Sequence, residues 1–85
     1  MNVSLFLLNV SPSGGTFFCE VRDEQNYLLE VVSSFAQDFL KTFSKLSGKY
    51  NIKSCYIMGK ENPYALKIAE MIQERNSSLS IKFIQ

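Results

Sequence analysis

Lys41, Lys45 and Lys49 recur every four residues, with Lys53 and Lys60 beyond them. On a helix that spacing places the first three ammonium groups on one stripe. A row of cations matches a run of phosphates, and it equally suits a solubilising face. The stretch Gly59-Lys60-Glu61-Asn62 offers a related chemistry. It would deliver backbone N–H groups and one cation to a helix N-terminus, which favours anions. Glu61 works against that, and an ordinary capped loop would look the same. No phosphate-loop or dinucleotide glycine pattern is present. Cys19 and Cys55 are the only thiols, and with no histidine in the chain neither has its usual activating base. Both read as small buried hydrophobes. No Cys-x-x-Cys pair exists, so neither a zinc site nor another cofactor is expected. Phe17, Phe18 and Tyr27 could stack on bases, although aromatic residues in strands more often pack.

Tyr50 to Ile72 is the stretch that must position these residues. Ile52–Met58 is a nearly unbroken β-prone run, as in a strand covered on both faces. Gly59 releases the backbone, Asn62 is a good helix N-cap and Pro63 a good first helical residue. Ala65, Leu66, Ile68, Ala69 and Ile72 then follow at helical spacing. Upstream, Val3–Leu8 reads as a strand apolar on both faces and therefore central. Residues 9–15 (NVSPSGG) form a turn rich in glycine, proline and hydroxyls, and Thr16–Val21 is the second strand. Tyr27–Val32 reads as a third strand on the strength of Tyr27, Val31 and Val32. Ser34-x-x-Gln37 looks like a capping box, opening a helix with Phe35, Phe39, Leu40, Phe43 and Leu46 on one face. It runs to about Ser47, with Gly48 as its stop. Leu79–Ile84 alternates as an edge strand does.

At 85 residues, 46% hydrophobic and 20% charged, the chain is one globular domain, residues 1–85. Such a small core leaves a thin stability margin. The net charge of +1 excludes a global field drawing the protein to nucleic acid or membrane. The charge is uneven, however. Residues 1–38 hold five acids and one base, whereas residues 39–60 hold five lysines and no acid. Val3–Leu8 is too short to span a bilayer and lacks a basic flank. The first charged side chain is Glu20, so no arginine-rich transit peptide is expected either.

The order is β-β-β-α-β-α-β. Right-handed crossovers and apolar first and fourth strands give a mixed five-stranded sheet in the order 3-2-1-4-5. That separates Cys19 and Cys55 by about 9–10 Å, beyond disulfide reach. The topology is that of the ribonuclease H-like fold, whose nucleases hold metal ions on carboxylates of the first strand, first helix and fourth strand. Here Asn9 stands where the first acid would be. Only Asp38 and Glu61 remain, a poor metal site, so no catalytic residue is expected.

Two segments carry a family resemblance. NVSPSGGTFFCEVRDEQNYLLEVVSS resembles the first hairpin and third strand of the small-subunit ribosomal protein eleven family. FAQDFLKTFSKLSGKYNIKSCYIMGKENPYALKIAEMIQERNSSLSIKFI resembles the rest of that family's core. Phe35-Ala36-Gln37 falls at the opening of its first helix, Tyr50-Asn51-Ile52-Lys53 at the start of its fourth strand, and Met58-Gly59-Lys60 at its glycine-rich loop. The identities are few. The family's arginine-bearing loop is reduced to GKENP, and its basic insertion and basic C-terminal tail are missing. The large-subunit ribosomal protein eighteen family shares the fold and is a rival match. The resemblance implies a divergent structural protein of a mitochondrial small ribosomal subunit. Organelle encoding is one way to account for the missing presequence. Its partners would be ribosomal RNA and neighbouring ribosomal proteins, with no membrane contact and no small-molecule substrate. The implied contact loops are Ser11, Ser13, Gly14, Gly15 and Thr16, and Gly59, Lys60 and Asn62. The Lys41, Lys45 and Lys49 stripe is a separate suggestion. A non-catalytic interaction or nucleic-acid accessory module on the same scaffold is the alternative.

Overall fold

A computed structural model describes residues 1–8, 11, 15–59 and 61–84. The chain runs β1 (Asn2–Leu8), β2 (Thr16–Asp23), β3 (Leu28–Phe35), a single 3-10 turn (Ala36–Asp38), α1 (Phe39–Lys49), β4 (Asn51–Met58), α2 (Pro63–Arg75) and β5 (Ser80–Ile84). The five strands form one mixed sheet in the order β3-β2-β1-β4-β5, as the sequence predicts. β1 pairs antiparallel with β2 and β2 with β3, while β4 lies parallel to β1 and to β5. The β2–β3 hairpin closes on Asp23, whose Oδ1 accepts from the backbone N–H of Gln25 and Tyr27. Asn26 completes that turn in the left-handed region, which asparagine tolerates.

Both helices cover the same face of the sheet. Val3, Leu5 and Leu7 of β1, Phe17, Cys19 and Val21 of β2, and Cys55 and Ile57 of β4 point into one core. Phe39, Phe43 and Leu46 of α1 and Ala65, Ile68 and Ile72 of α2 close over them. The rings of Phe17 and Phe39 meet edge to face, with centroids 5.5 Å apart. The handedness rule accounts for this one-sided cover. Both crossovers, β3 to β4 and β4 to β5, move in the same direction across the sheet, so right-handed paths put both helices on one side.

Three expectations are corrected. β1 and β4 are central, but neither is covered on both faces. Ser4, Phe6 and Leu8, and Ser54, Tyr56 and Met58, are only partly buried on the helix-free side. Ser34 is not a capping residue. β2 reaches back to Thr16 and offers ladder partners as far as Phe35, so β3 outlasts the predicted helix start. Phe35 is consequently an exposed strand residue rather than a member of the helix core, and α1 begins at Phe39 with no side-chain cap. Gly48 does not stop α1, because it keeps a helical backbone and the helix continues to Lys49. The helix ends when Asn51 joins β1, where its N–H donates to the carbonyl of Met1.

The remaining features follow the reading closely. Asn62 caps α2 through its Oδ1, which accepts from the N–H of Tyr64 at 2.9 Å, and Pro63 opens the helix. Within α2, Leu66 is exposed while Ala65, Ile68 and Ile72 are fully buried.

Candidate functional site

The carboxyl ends of β1 and β4 lie side by side, and the chain leaves them in opposite directions. β1 leads back to β2, and β4 leads through α2 to β5. In open α/β sheets ligands often bind at such a divergence. The described residues of both loops implied by the family resemblance lie at this end. Ser11 and Thr16 close the first: the N–H of Ser11 donates to the Thr16 carbonyl at 2.7 Å, and that of Gly15 to the Ser11 carbonyl at 2.9 Å. In the second, the N–H of Asn62 donates to the Gly59 carbonyl at 2.8 Å. Ser13, Gly14 and Lys60 lie outside the described residues.

Gly15 and Tyr64 join the two loops. Gly15 has φ +66, and a Cβ there would stand 3.1 Å from Cε1 and 3.2 Å from Cδ1 of Tyr64. The ring thus rests on bare backbone, at a position that only glycine fills without strain. The carbonyl of Gly15 also accepts from the N–H of Ala36, tying the end of β3 to the same cluster. Gly59 is left-handed as well, at φ +94, which lets the chain turn from β4 into the cap of α2. The contributions of Tyr64 and Ala36 were not read from the sequence. A tyrosine directly after Asn-Pro signals only a helix's first turn, and its partner lies 49 positions earlier.

The lysine stripe does not join this cluster. Lys41, Lys45 and Lys49 are exposed along α1 and line a trough between that helix and β3. Lys41 sits in the first turn, and Lys49 is about 12 Å further along the axis. Lys49 pairs with Glu30 at 3.2 Å. Asp38 borders the trough beside Lys41.

The helix-free face is a third surface. Phe6 and Tyr56 stack there with centroids 4.8 Å apart, and the Arg22 guanidinium lies 5.9 Å above Phe6. Arg22 is also paired with Glu20 at 2.9 Å. Phe18 lies on the same face, half exposed, and Tyr27 is exposed in the adjoining turn. Phe17 is buried against the helices and is unavailable for stacking.

Among the described residues, the candidate catalytic side chains named from the sequence stand apart. Cys19 and Cys55 are free thiols on either side of β1. Burial pushes the Cys19 thiol up to about 12, with Glu20 and Glu30 adding to it. Cys55 is pushed higher still, by burial first and by Cys19 second. Such thiols are poor nucleophiles at neutral pH. Asp38 and Glu61 stand on separate elements, and Asn9 lies outside the described residues. Among the described residues no three His, Cys, Asp or Glu side chains group as metal ligands. Nor is any described helix long and apolar enough to cross a membrane. In comparisons with known proteins the chain matches no family model, and it has no significant match among curated proteins or solved structures.

Proposed function

We propose that this chain is a structural, non-catalytic protein of a mitochondrial small ribosomal subunit. It would hold ribosomal RNA against the loops at the carboxyl ends of β1 and β4, with neighbouring ribosomal proteins on its remaining surfaces. The scaffold is read as ribonuclease H-like. The observation that carries this proposal is the meeting of the two loops through Gly15 and Tyr64. Two segments far apart in sequence, each resembling a contact loop of the ribosomal family, are brought together where Gly15 meets Tyr64. Near-neutral overall charge implies few phosphate contacts, hence a shallow dependence of RNA affinity on salt. The test is co-sedimentation of the native protein with ribosomal subunits through a salt-washed gradient. Consistent absence from the subunit fractions ends the proposal. In the purified protein, Lys60→Glu should weaken RNA binding and flatten its salt dependence.

A second reading is favoured by the apolar helix-free face. A non-catalytic protein-interaction module on the same scaffold would use that face to bind a partner. RNA binding lost on Lys60→Glu would argue against it.

A further inference from the structure

β3 occupies the margin of the sheet, and its outer side has no strand partner among the described residues. Natural edge strands are usually shortened, bulged outward, or guarded by lysine or proline. β3 is eight residues long, has neither lysine nor proline, and carries one charge, Glu30; its pairing with β2 shifts register between Leu28 and Glu30, and Glu30–Phe35 pair evenly. Its outer N–H and C=O groups form a ready ladder.

The two sides of this edge differ in chemistry. On the helix side runs a trough of about 360 Å³ lined by Glu30, Val32, Ser34, Thr42, Lys45 and Lys49. It continues past Lys41 and Asp38. Lys49 is paired with Glu30, while Lys41 and Lys45 have no ion pair among the described residues. On the helix-free side Val31 and Phe35 are each 52% exposed, with Ser33 between them.

We propose that the free edge of β3 accepts an extended segment of a partner protein as a sixth strand, and that this segment alternates acidic and apolar residues. Successive side chains of an added strand face opposite sides of the sheet, so one set meets the lysines and the other meets Val31 and Phe35. The spacing agrees. Lysines four apart on a helix advance about 6 Å, and alternate residues of a strand advance about 6.6 Å. A nucleic-acid strand could satisfy the lysines but would leave the backbone ladder and the apolar rim unused. A second copy pairing edge to edge would bring two lysine rows together across the dyad, which like charges oppose. This edge is distinct from the strand-end loops, and the inference does not rest on the ribosomal reading.

The test uses the full chain, isotope-labelled and titrated with a heptapeptide alternating valine and glutamate. Amide signals of residues 28–35 should shift, and their hydrogen exchange should slow. The double variant Lys41→Glu/Lys45→Glu should bind roughly tenfold more weakly, with its urea unfolding midpoint unchanged. Val31→Lys, which restores a common edge guard, should weaken binding independently. The inference is overturned if the 28–35 amides do not respond, or if a valine–lysine heptapeptide binds equally well. It is also overturned if those amides are already protected by self-association without peptide. Oligouridylate shifting the lysine signals while leaving the β3 amides in free exchange would reassign the trough to RNA.

Discussion

The two faces of the sheet are built from alternate residues of the same strands, yet they meet different fates. On β1, Val3, Leu5 and Leu7 are sealed beneath α1 and α2, while Ser4, Phe6 and Leu8 stay partly open. On β4, Cys55 and Ile57 are buried, but Tyr56 lies in a stack with Phe6 on the uncovered side, beside the Ser4–Ser54 hydroxyl pair. The covered face carries the stability of the domain. The open face is apolar enough to bind and too thinly packed to contribute comparably. Parallel pairing in the middle of a sheet usually means cover on both sides. Here the one-way progress of the crossovers removes the second layer.

The comparison breaks most directly by truncating one residue on each face. Leu5→Ala should cost about 2–5 kcal/mol, enough to unfold much of so small a domain. Phe18→Ser should change stability by no more than about 1 kcal/mol. Urea unfolding followed by circular dichroism measures both. Equal losses would mean that the open face is covered in solution. The next effect tests how dry the covered side is. The thiols of Cys19 and Cys55 have native pKa values raised above the ordinary 9.0, so both stay protonated in the fold when the unfolded chain would release the proton. Their contribution is therefore complete below about pH 9 and falls as pH rises toward the native values, by about 1.4 kcal/mol per pH unit for each thiol. Stability compared at pH 8 and pH 10.5, in the wild type and in a Cys19→Ala/Cys55→Ala variant, isolates this slope. At the loop end, Asn62→Ala should cost about 1 kcal/mol through loss of the α2 cap. The smallest effect should be favourable. Gly48 is helical with open space around its Cα, so Gly48→Ala should stabilise by about 0.4–1 kcal/mol, read as a raised urea midpoint.

Much of this architecture was legible because its signals are local. Val31 and Val32 marked β3, which begins one residue after Tyr27; Asn62-Pro63 marked the start of α2, and the apolar β1 and β4 ordered the sheet. The capping box misled because Ser34 and Gln37 have the right types, while the length of β2, a non-local fact, keeps Ser34 in a ladder. The open face was hidden by Phe6, Leu8 and Tyr56, which make their strands look buried on both sides. The rule that reveals it, both crossovers running one way, was already implied by the predicted sheet order. At the candidate site, the turn residues announced two loops. Their convergence on Gly15 and Tyr64 depends on β1 and β4 being neighbours, which no local pattern encodes. Lys41 and Lys45 were correctly placed on α1, and Lys49 joins them because the helix continues past Gly48, but the opposite wall, β3, is set by the tertiary fold.

The pairing of β1 with β4 also has a kinetic consequence. Asn2 to Leu7 find their parallel partners only among residues 51–57. A chain emerging during translation must hold its first three strands as a lone meander, apolar on both surfaces, until Met58 has been added. At ordinary elongation speeds the interval from Phe35 to Met58 lasts about 1–5 s. In that window a chaperone, or another sticky nascent chain, would find the protein at its most vulnerable.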